Sequence, residues 1–280
     1  MHAPSFQPFG YYALPGWAEA LARLCHRLPA NWLGRRLGFI LRRPVIALKS
    51  EVVDLSVMGT SFRLYPENNL SDKRLLCTPN ILDGDERVFL ADSMAQGSWL
   101  IDVGANIGGY SLLLCKQRPD IRVLVIEPDP DMAARLQYNI ELNGLSDRVR
   151  LAQVAITDSP ATVELYRDPV NRGKNSLLQG GGMQQGDSIE VVGLPLHALF
   201  IEYQIASPEA IKLDIEGFEL PVLRGFFESV DQAYWPRLIQ IEQHRRQVEL
   251  NDAVQLAMEE GYQIRLHTRM NVILERSPEH

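Results

Sequence analysis

An α/β fold, with a mostly parallel sheet covered by helices on both faces, is predicted by three observations. Five short apolar runs, at 99–103, 123–127, 149–156, 210–214 and 238–242, alternate with helical stretches between most of them, as strands buried on both faces do. The first run passes directly into Gly104-Ala105-Asn106-Ile107-Gly108-Gly109-Tyr110-Ser111, a glycine turn that opens a helix. The composition, 46% hydrophobic and 22% charged over 280 residues, excludes disorder and suits one large core with an appendage.

The appendage comes first and is expected to span residues 1–83 as a helical cap and hairpin, leaving 84–280 for the α/β domain. Between residues 20 and 50 there is no Asp or Glu, whereas Arg23, Arg27, Arg35, Arg36, Arg42, Arg43 and Lys49 are basic. Trp17, Leu21 and Leu24, then Trp32, Leu33, Leu37, Ile40 and Leu41, recur at roughly helical spacing. Such a segment packs as a cap with its arginines in water, or lies on an anionic membrane, or covers a substrate channel. Short strands are expected at 45–48, 52–57 and 61–64, the last two turning through Met58-Gly59-Thr60. A helix around 88–94 leads to Gly97 and the first core strand. The tail, 262–267 and 271–275, reads as a closing hairpin, and the polar segment 171–187 as a loop.

The chemistry-bearing residues sit at strand ends. A glycine turn lets a ligand approach the backbone and aims helix N–H groups at an anionic group. After a crossover helix at 110–116, the second strand ends in Glu127-Pro128, a carboxylate placed to accept both hydroxyls of a ribose. A nicotinamide dinucleotide and S-adenosylmethionine would both use that acid, and the turn discriminates between them. Asn106 stands at the second glycine of G-x-G-x-x-G, where a pyrophosphate needs bare backbone. Asparagine suits a zwitterion better, with Asp102 meeting an ammonium and the helix start a carboxylate. The reading therefore favours S-adenosylmethionine held by Asp102, Gly104, Ala105, Asn106, Gly108, Ser111, Glu127 and Pro128, with a dinucleotide oxidoreductase as the alternative.

Downstream, Ile211, Leu213 and Ile215 alternate with Lys212, Asp214 and Glu216, so the charged residues share one face if the strand persists. In an open α/β sheet, ligands bind at the carboxyl ends of strands flanking the switch in strand order. That places Asp214 and Glu216 beside the Gly104 turn as first choices for acid–base chemistry. The plainer role for Glu216 is an ion pair with Lys212. The next strand ends in Glu242 with His244 two residues on, two further candidate bases. Converging carboxylates can hold Mg²⁺, but no dense D-x-D or H-x-x-x-H spacing supports a metal, and none is assigned.

Four ordered segments carry a resemblance to a known family: 101–108, Ile126-Glu127-Pro128, Tyr138-Asn139-Ile140-Glu141-Leu142-Asn143-Gly144, and 211–219. From about Gly84 to Glu242 the chain resembles the FkbM family of S-adenosylmethionine-dependent methyltransferases. The resemblance implies a class I methyltransferase fold with a seven-stranded sheet closed by an antiparallel strand. It also implies O-methylation of a hydroxyl on a sugar, glycan or polyketide-type product. One departure is Pro195-Leu196-His197-Ala198, standing where the family usually shows threonine-leucine-aspartate, so no role of that aspartate carries over.

Other classes are disfavoured by composition and motif. A net charge of -7 argues against nucleic acid as a partner of the whole chain. Asp214-Ile215-Glu216-Gly217 replaces the N/D-P-P-Y/F of base amino-methylation, and Cys25, Cys77 and Cys115 all follow leucine rather than proline. Three cysteines without C-x-x-C spacing suit a reducing compartment. With no apolar run long enough for a bilayer and no leader-like start, the expectation is a cytoplasmic protein acting on a small-molecule or glycan acceptor. A protein that keeps the cofactor fold without turnover remains the non-enzymatic alternative.

Overall fold

The computed structural model describes residues 7–29, 31–81, 83–168, 171–178, 188–243 and 250–277. Two helices lead, α1 (Gly16–His26) and α2 (Trp32–Ile46). The Asn31 side chain caps α2, accepting from the Gly34 N–H at 2.9 Å, which satisfies one of the donors a helix start leaves open. The strand expected at 45–48 is corrected here, because Val45 and Ile46 form the last turn of α2. Val45 completes an inward stripe with Gly34 and Gly38, and burying that stripe overrides the β-propensity of a Val-Ile pair. The hairpin β1 (Val53–Val57) and β2 (Thr60–Leu64) follows, turning through Met58 and Gly59 at φ 50° and 82°. Two consecutive positive φ angles are what a type I′ turn requires. Helix α3 (Leu70–Cys77), which the sequence reading did not assign, precedes α4 (Gly84–Ser93).

The α/β unit then runs β3 (Trp99–Val103), α5 (Gly109–Gln117), β4 (Arg122–Ile126), α6 (Pro130–Leu142), β5 (Val149–Ala152), β6 (Ala155–Ile156), β7 (Ala161–Tyr166) and β8 (Ser188–Leu194). It continues with α7 (Leu196–Glu202), β9 (Ala210–Leu213), α8 (Glu219–Ser229), β10 (Leu238–Glu242), α9 (Asp252–Glu259), β11 (Tyr262–His267) and β12 (Asn271–Arg276). The seven-stranded sheet has the order β11-β12-β10-β9-β3-β4-β5. Its strands pair in parallel from β5 to β10, and β12 enters antiparallel. The order reverses between β3 and β9, which puts the switch point above the Gly104 turn.

Two expectations about strands change. Residues 149–156 are two strands, because β6 leaves the large sheet to join a three-stranded sheet ordered β6-β8-β7. Strand β9 ends at Leu213, and the chain turns through Glu216 and Gly217 at φ 53° and 99°. Lys212 and Asp214 therefore keep the strand's two-residue alternation, and Glu216 does not.

Alternation along the strands divides the core into two layers. Leu100, Val123, Val125 and Ala210 pack with α5, α6 and the lead-in residues Ala18, Val45, Val53 and Leu75. Ile101, Val103, Leu124, Ile126, Ile211 and Leu213 pack with α7, α8 and α9 on the opposite face. Cys25, Cys77 and Cys115 are buried and unbridged, behaving as small core residues.

Candidate functional site

The turn after β3 carries three left-handed residues, Gly104 at φ 80°, Asn106 at 53° and Gly108 at 85°. Glycine adopts this region freely, and asparagine tolerates it better than other side chains, so Asn106 has a backbone reason as well as a chemical one. A Cβ on Gly104 would stand 2.0 Å from the Asp214 carbonyl oxygen, so the exit of β9 crosses against bare backbone. The Gly104 and Ala105 N–H groups both donate to the Ile126 carbonyl at 3.0 Å, wrapping the turn over the end of β4. There Glu127 accepts from the Asn106 N–H at 2.8 Å and the Asp129 N–H at 3.0 Å, one on each oxygen. Each oxygen has a second lone pair to offer. Burial pushes this carboxyl up to about 7.

Around the turn lie two adjoining cavities that share Gly104, Asn106, Gly173, Asp214 and Glu216. The smaller, of about 60 Å³, is walled by Ile126, Val154, Ile156, Leu165 and Phe218 with Glu127 and Pro128 at its edge. A flat apolar ring with a neighbouring diol suits it. The larger, of about 330 Å³, is lined by Asp83, Asp214, Glu216 and Glu242, and by the cations Arg74, Lys174 and Lys212. Residues 171–176 roof the groove. The Asn171 side chain accepts from the Leu70 N–H at 2.9 Å, the Asn175 side chain donates to Asp129 at 2.7 Å, and the Ser176 hydroxyl donates to the Glu216 carbonyl at 3.3 Å.

Beneath the floor a polar row crosses three strands. The parallel register sets Asp102 beside Lys212 and Lys212 beside Gln240. Lys212 is buried, 3.3 Å from Asp102 and 3.0 Å from Asp214. The first turn of α5 closes the row from above. Tyr110 donates to Gln240 at 2.7 Å and Ser111 to Asp102 at 2.6 Å. Despite burial, the two carboxylates hold the Lys212 ammonium well above the usual lysine range.

Four acids facing one cavity repel each other's charge. Burial first, then Asp214, pushes Glu216 up to about 7 and Glu242 up to about 8, and the same two causes lift Asp83 to about 6. Of the residues expected from sequence, Gly104, Ala105, Asn106, Asp214, Glu216 and Glu242 line the larger cavity, and Glu127 and Pro128 the smaller. Asp102 and Ser111 are fully buried behind the wall, engaged with Lys212 and with each other. At Gly108 a Cβ would meet Leu136 at 2.6 Å, a packing contact with α6. His244 lies outside the described residues. Lys212 pairs with the two aspartates rather than with Glu216. Arg74, Lys174 and Asp83, which line the larger cavity, were not singled out from sequence, and Lys212 was expected there only as a partner of Glu216. Among the described residues no group of three or more His, Cys, Asp or Glu side chains is arranged to hold a metal.

The family model of the methyltransferase FkbM domain matches residues 102–275, from the acid of β3 to the last strand. The chain belongs to the FkbM methyltransferase family. Among the relatives of this FkbM domain is methyltransferase sdnD of Sordaria araneosa, 26% identical over 51% of this chain and 64% of that protein. The chain thus spans less than two thirds of that relative. The 31-O-demethyl-FK506 methyltransferase FkbM of Streptomyces tacrolimicus is 27% identical, over 61% of this chain and 75% of that one. The hexuronic acid methyltransferase AglP of Haloferax volcanii is 25% identical, over 71% and 75%.

Proposed function

We propose that this FkbM domain is an S-adenosylmethionine-dependent methyltransferase that passes a methyl group in line to a hydroxyl of a sugar, glycan or polyketide-type small molecule. The observation that carries the reading is one groove with two chemistries. Glu127 and an apolar slot occupy one end, the acids Asp214, Glu216 and Glu242 the other, and Gly104 lies at the junction. A relative named for a 31-O-demethyl compound supports an oxygen acceptor, and one named for hexuronic acid supports a sugar as its carrier.

The residues fit the donor. The slot beside Ile126, Val154 and Phe218 takes adenine, and the two remaining Glu127 lone pairs take the ribose hydroxyls. The acid-rich cavity suits a ligand that carries an ammonium and a sulfonium. When bound, the donor supplies an electrophilic methyl on a good leaving group, so the protein mainly aligns the acceptor and excludes water. Asp214 and Glu216 border both cavities and so stand where donor and acceptor meet. Lys212 fixes Asp214, which orients the acceptor hydroxyl. Glu216, with its carboxyl raised to about 7, accepts the departing proton at neutral pH. Glu242 faces the acceptor side. Asp102 and Ser111 act through Lys212 and the α5 turn. The lead-in, residues 1–83, caps the donor domain, residues 84–280, with α3 lending Leu70, Ser71 and Arg74 to the cavity wall.

Incubation with methyl-labelled S-adenosylmethionine and a panel of hexoses, uronic acids and hydroxylated macrolides tests the reading. Label in a base-stable methyl ether is the expected product. Tight donor binding without transfer to any hydroxyl, or transfer only to nitrogen or carboxylate, would contradict it.

A further inference from the structure

Helix α2 is inside out. Its buried residues are Gly34, Gly38 and Val45, whereas Trp32, Leu33, Leu37, Phe39 and Ile40 are exposed. The glycines keep the buried side of the helix bare: a Cβ on Gly34 would stand 2.0 Å from the Pro29 carbonyl oxygen of the incoming chain, and one on Gly38 3.4 Å from the Thr78 methyl. Leu33, Leu37 and Ile40 follow the i, i+4, i+7 spacing of a single stripe. Trp32 is 68% exposed, and Trp17 on the adjoining α1 is 54% exposed. Ten of the eighteen large apolar side chains exposed among the described residues lie between Phe9 and Leu48. A soluble surface rarely gathers them in this way without a partner.

Charge says what the partner is. Residues 16–50 contain seven Lys and Arg residues and a single acid, Glu19, in a chain whose net charge is -7. The cations are interleaved with the apolar groups. Arg36 stacks 5.0 Å from the Trp32 ring and Arg42 lies 4.2 Å from the Phe39 ring. Beside them a groove of about 810 Å³ is lined by four cations, Arg42, Arg43, Lys49 and Lys73, and one acid, Glu67, over an apolar floor that includes Leu14, Val45 and Val53. Tryptophans and aliphatic side chains set among arginines match a bilayer interface, with apolar groups in the acyl boundary and cations at anionic headgroups.

We propose that the α1–α2 face docks this protein on the surface of an anionic lipid bilayer. No helix among the described residues is long and apolar enough to cross a membrane, and the contact proposed is that of the α1–α2 face with the lipid surface. Helix α3 packs against both α1 and α2 and also contributes Leu70, Ser71 and Arg74 to the larger cavity. Docking therefore holds that cavity near the lipid surface. The inference rests on the surface alone and stands whether or not the methyl-transfer reading does.

Co-sedimentation of the full chain with vesicles of phosphatidylcholine, with and without one part in about four of phosphatidylglycerol, tests it. The chain is expected to bind the anionic vesicles, to release from them at high salt, and to ignore the neutral ones. Of the four tryptophans, Trp99 and Trp235 are buried and Trp17 and Trp32 exposed, so binding shifts the emission to the blue. The variants Leu33→Ser/Ile40→Ser and Arg36→Gln/Arg43→Gln should each weaken binding by about tenfold or more, with the thermal unfolding midpoint unchanged. The proposal is overturned if anionic vesicles are not bound, if either variant binds as the parent does, or if the face instead drives self-association in vesicle-free sedimentation.

Discussion

Lys212 donates to Asp214 across 3.0 Å from a position buried in the sheet, with Asp102 on its other side at 3.3 Å. One ammonium thus ties the floor of the cavity to the strand that launches the glycine turn. Removing it leaves the buried Asp102 carboxylate and the cavity-side Asp214 without their shared countercharge. Lys212→Met should lower stability by about 3–5 kcal/mol, measured by urea unfolding. A loss below about 1 kcal/mol would mean that the row is not a load on the fold.

The two glycines that flank β3 make a controlled comparison. Both have positive φ, 75° at Gly97 and 80° at Gly104, but a Cβ meets nothing within 4 Å at Gly97 and the Asp214 carbonyl at 2.0 Å at Gly104. Gly97→Ala should cost about 1–2 kcal/mol of backbone strain alone. Gly104→Ala should cost clearly more and abolish donor binding, because β9 and the turn must separate. Equal unfolding midpoints for the two variants would refute this close approach.

Glu127→Ala removes both acceptors for the ribose. Donor affinity should fall by about a hundredfold, on the order of 3 kcal/mol, as read by calorimetry. An unchanged Kd contradicts the ribose assignment.

Glu216→Gln keeps the shape of the cavity edge and removes the proton acceptor. Turnover should drop by about 10²–10⁴-fold, with the donor Kd within about threefold of the parent. In the parent, the rate should rise as pH increases through about 7. A variant at full rate moves the base to Glu242 or beyond the described residues.

Raised carboxyls set the sign of the pH dependence of folding. Asp72 and Glu127 are lifted from 3.8 and 4.5 to about 7, chiefly by burial, and Glu216 and Glu242 to about 7 and 8. The folded chain keeps protons that the unfolded chain has already released near pH 4. Stability from these groups is therefore full in acid and declines as pH rises toward about 8. The ligand-free unfolding midpoint should fall steadily between about pH 5 and pH 8. A midpoint that climbs over that interval would contradict the burial of these acids.

The strands and the turn were legible because their signals are local. The apolar runs, the glycines and the acids at strand ends are each read within a few residues, and the β1–β2 hairpin followed from its turn. Strands β7 and β8 were missed because they alternate with exposed positions and flank a long polar stretch. The strand expected at 45–48 failed because propensity yielded to the buried Gly34, Gly38 and Val45 stripe. Asp102 was expected to face the ligand. Its engagement with Lys212 depends on the parallel register of β3 and β9, residues more than a hundred positions apart, which no local pattern encodes. Asp83, Arg74 and Lys174 reach the cavity by tertiary packing alone.

Calorimetric titration with S-adenosylmethionine and with NAD, side by side, separates a methyl-donor site from a dinucleotide site. One donor site is expected, its apparent heat varying with the buffer because a cationic ligand among raised acids drives protons off, with no NAD binding. Tight NAD binding without donor binding would contradict the donor assignment.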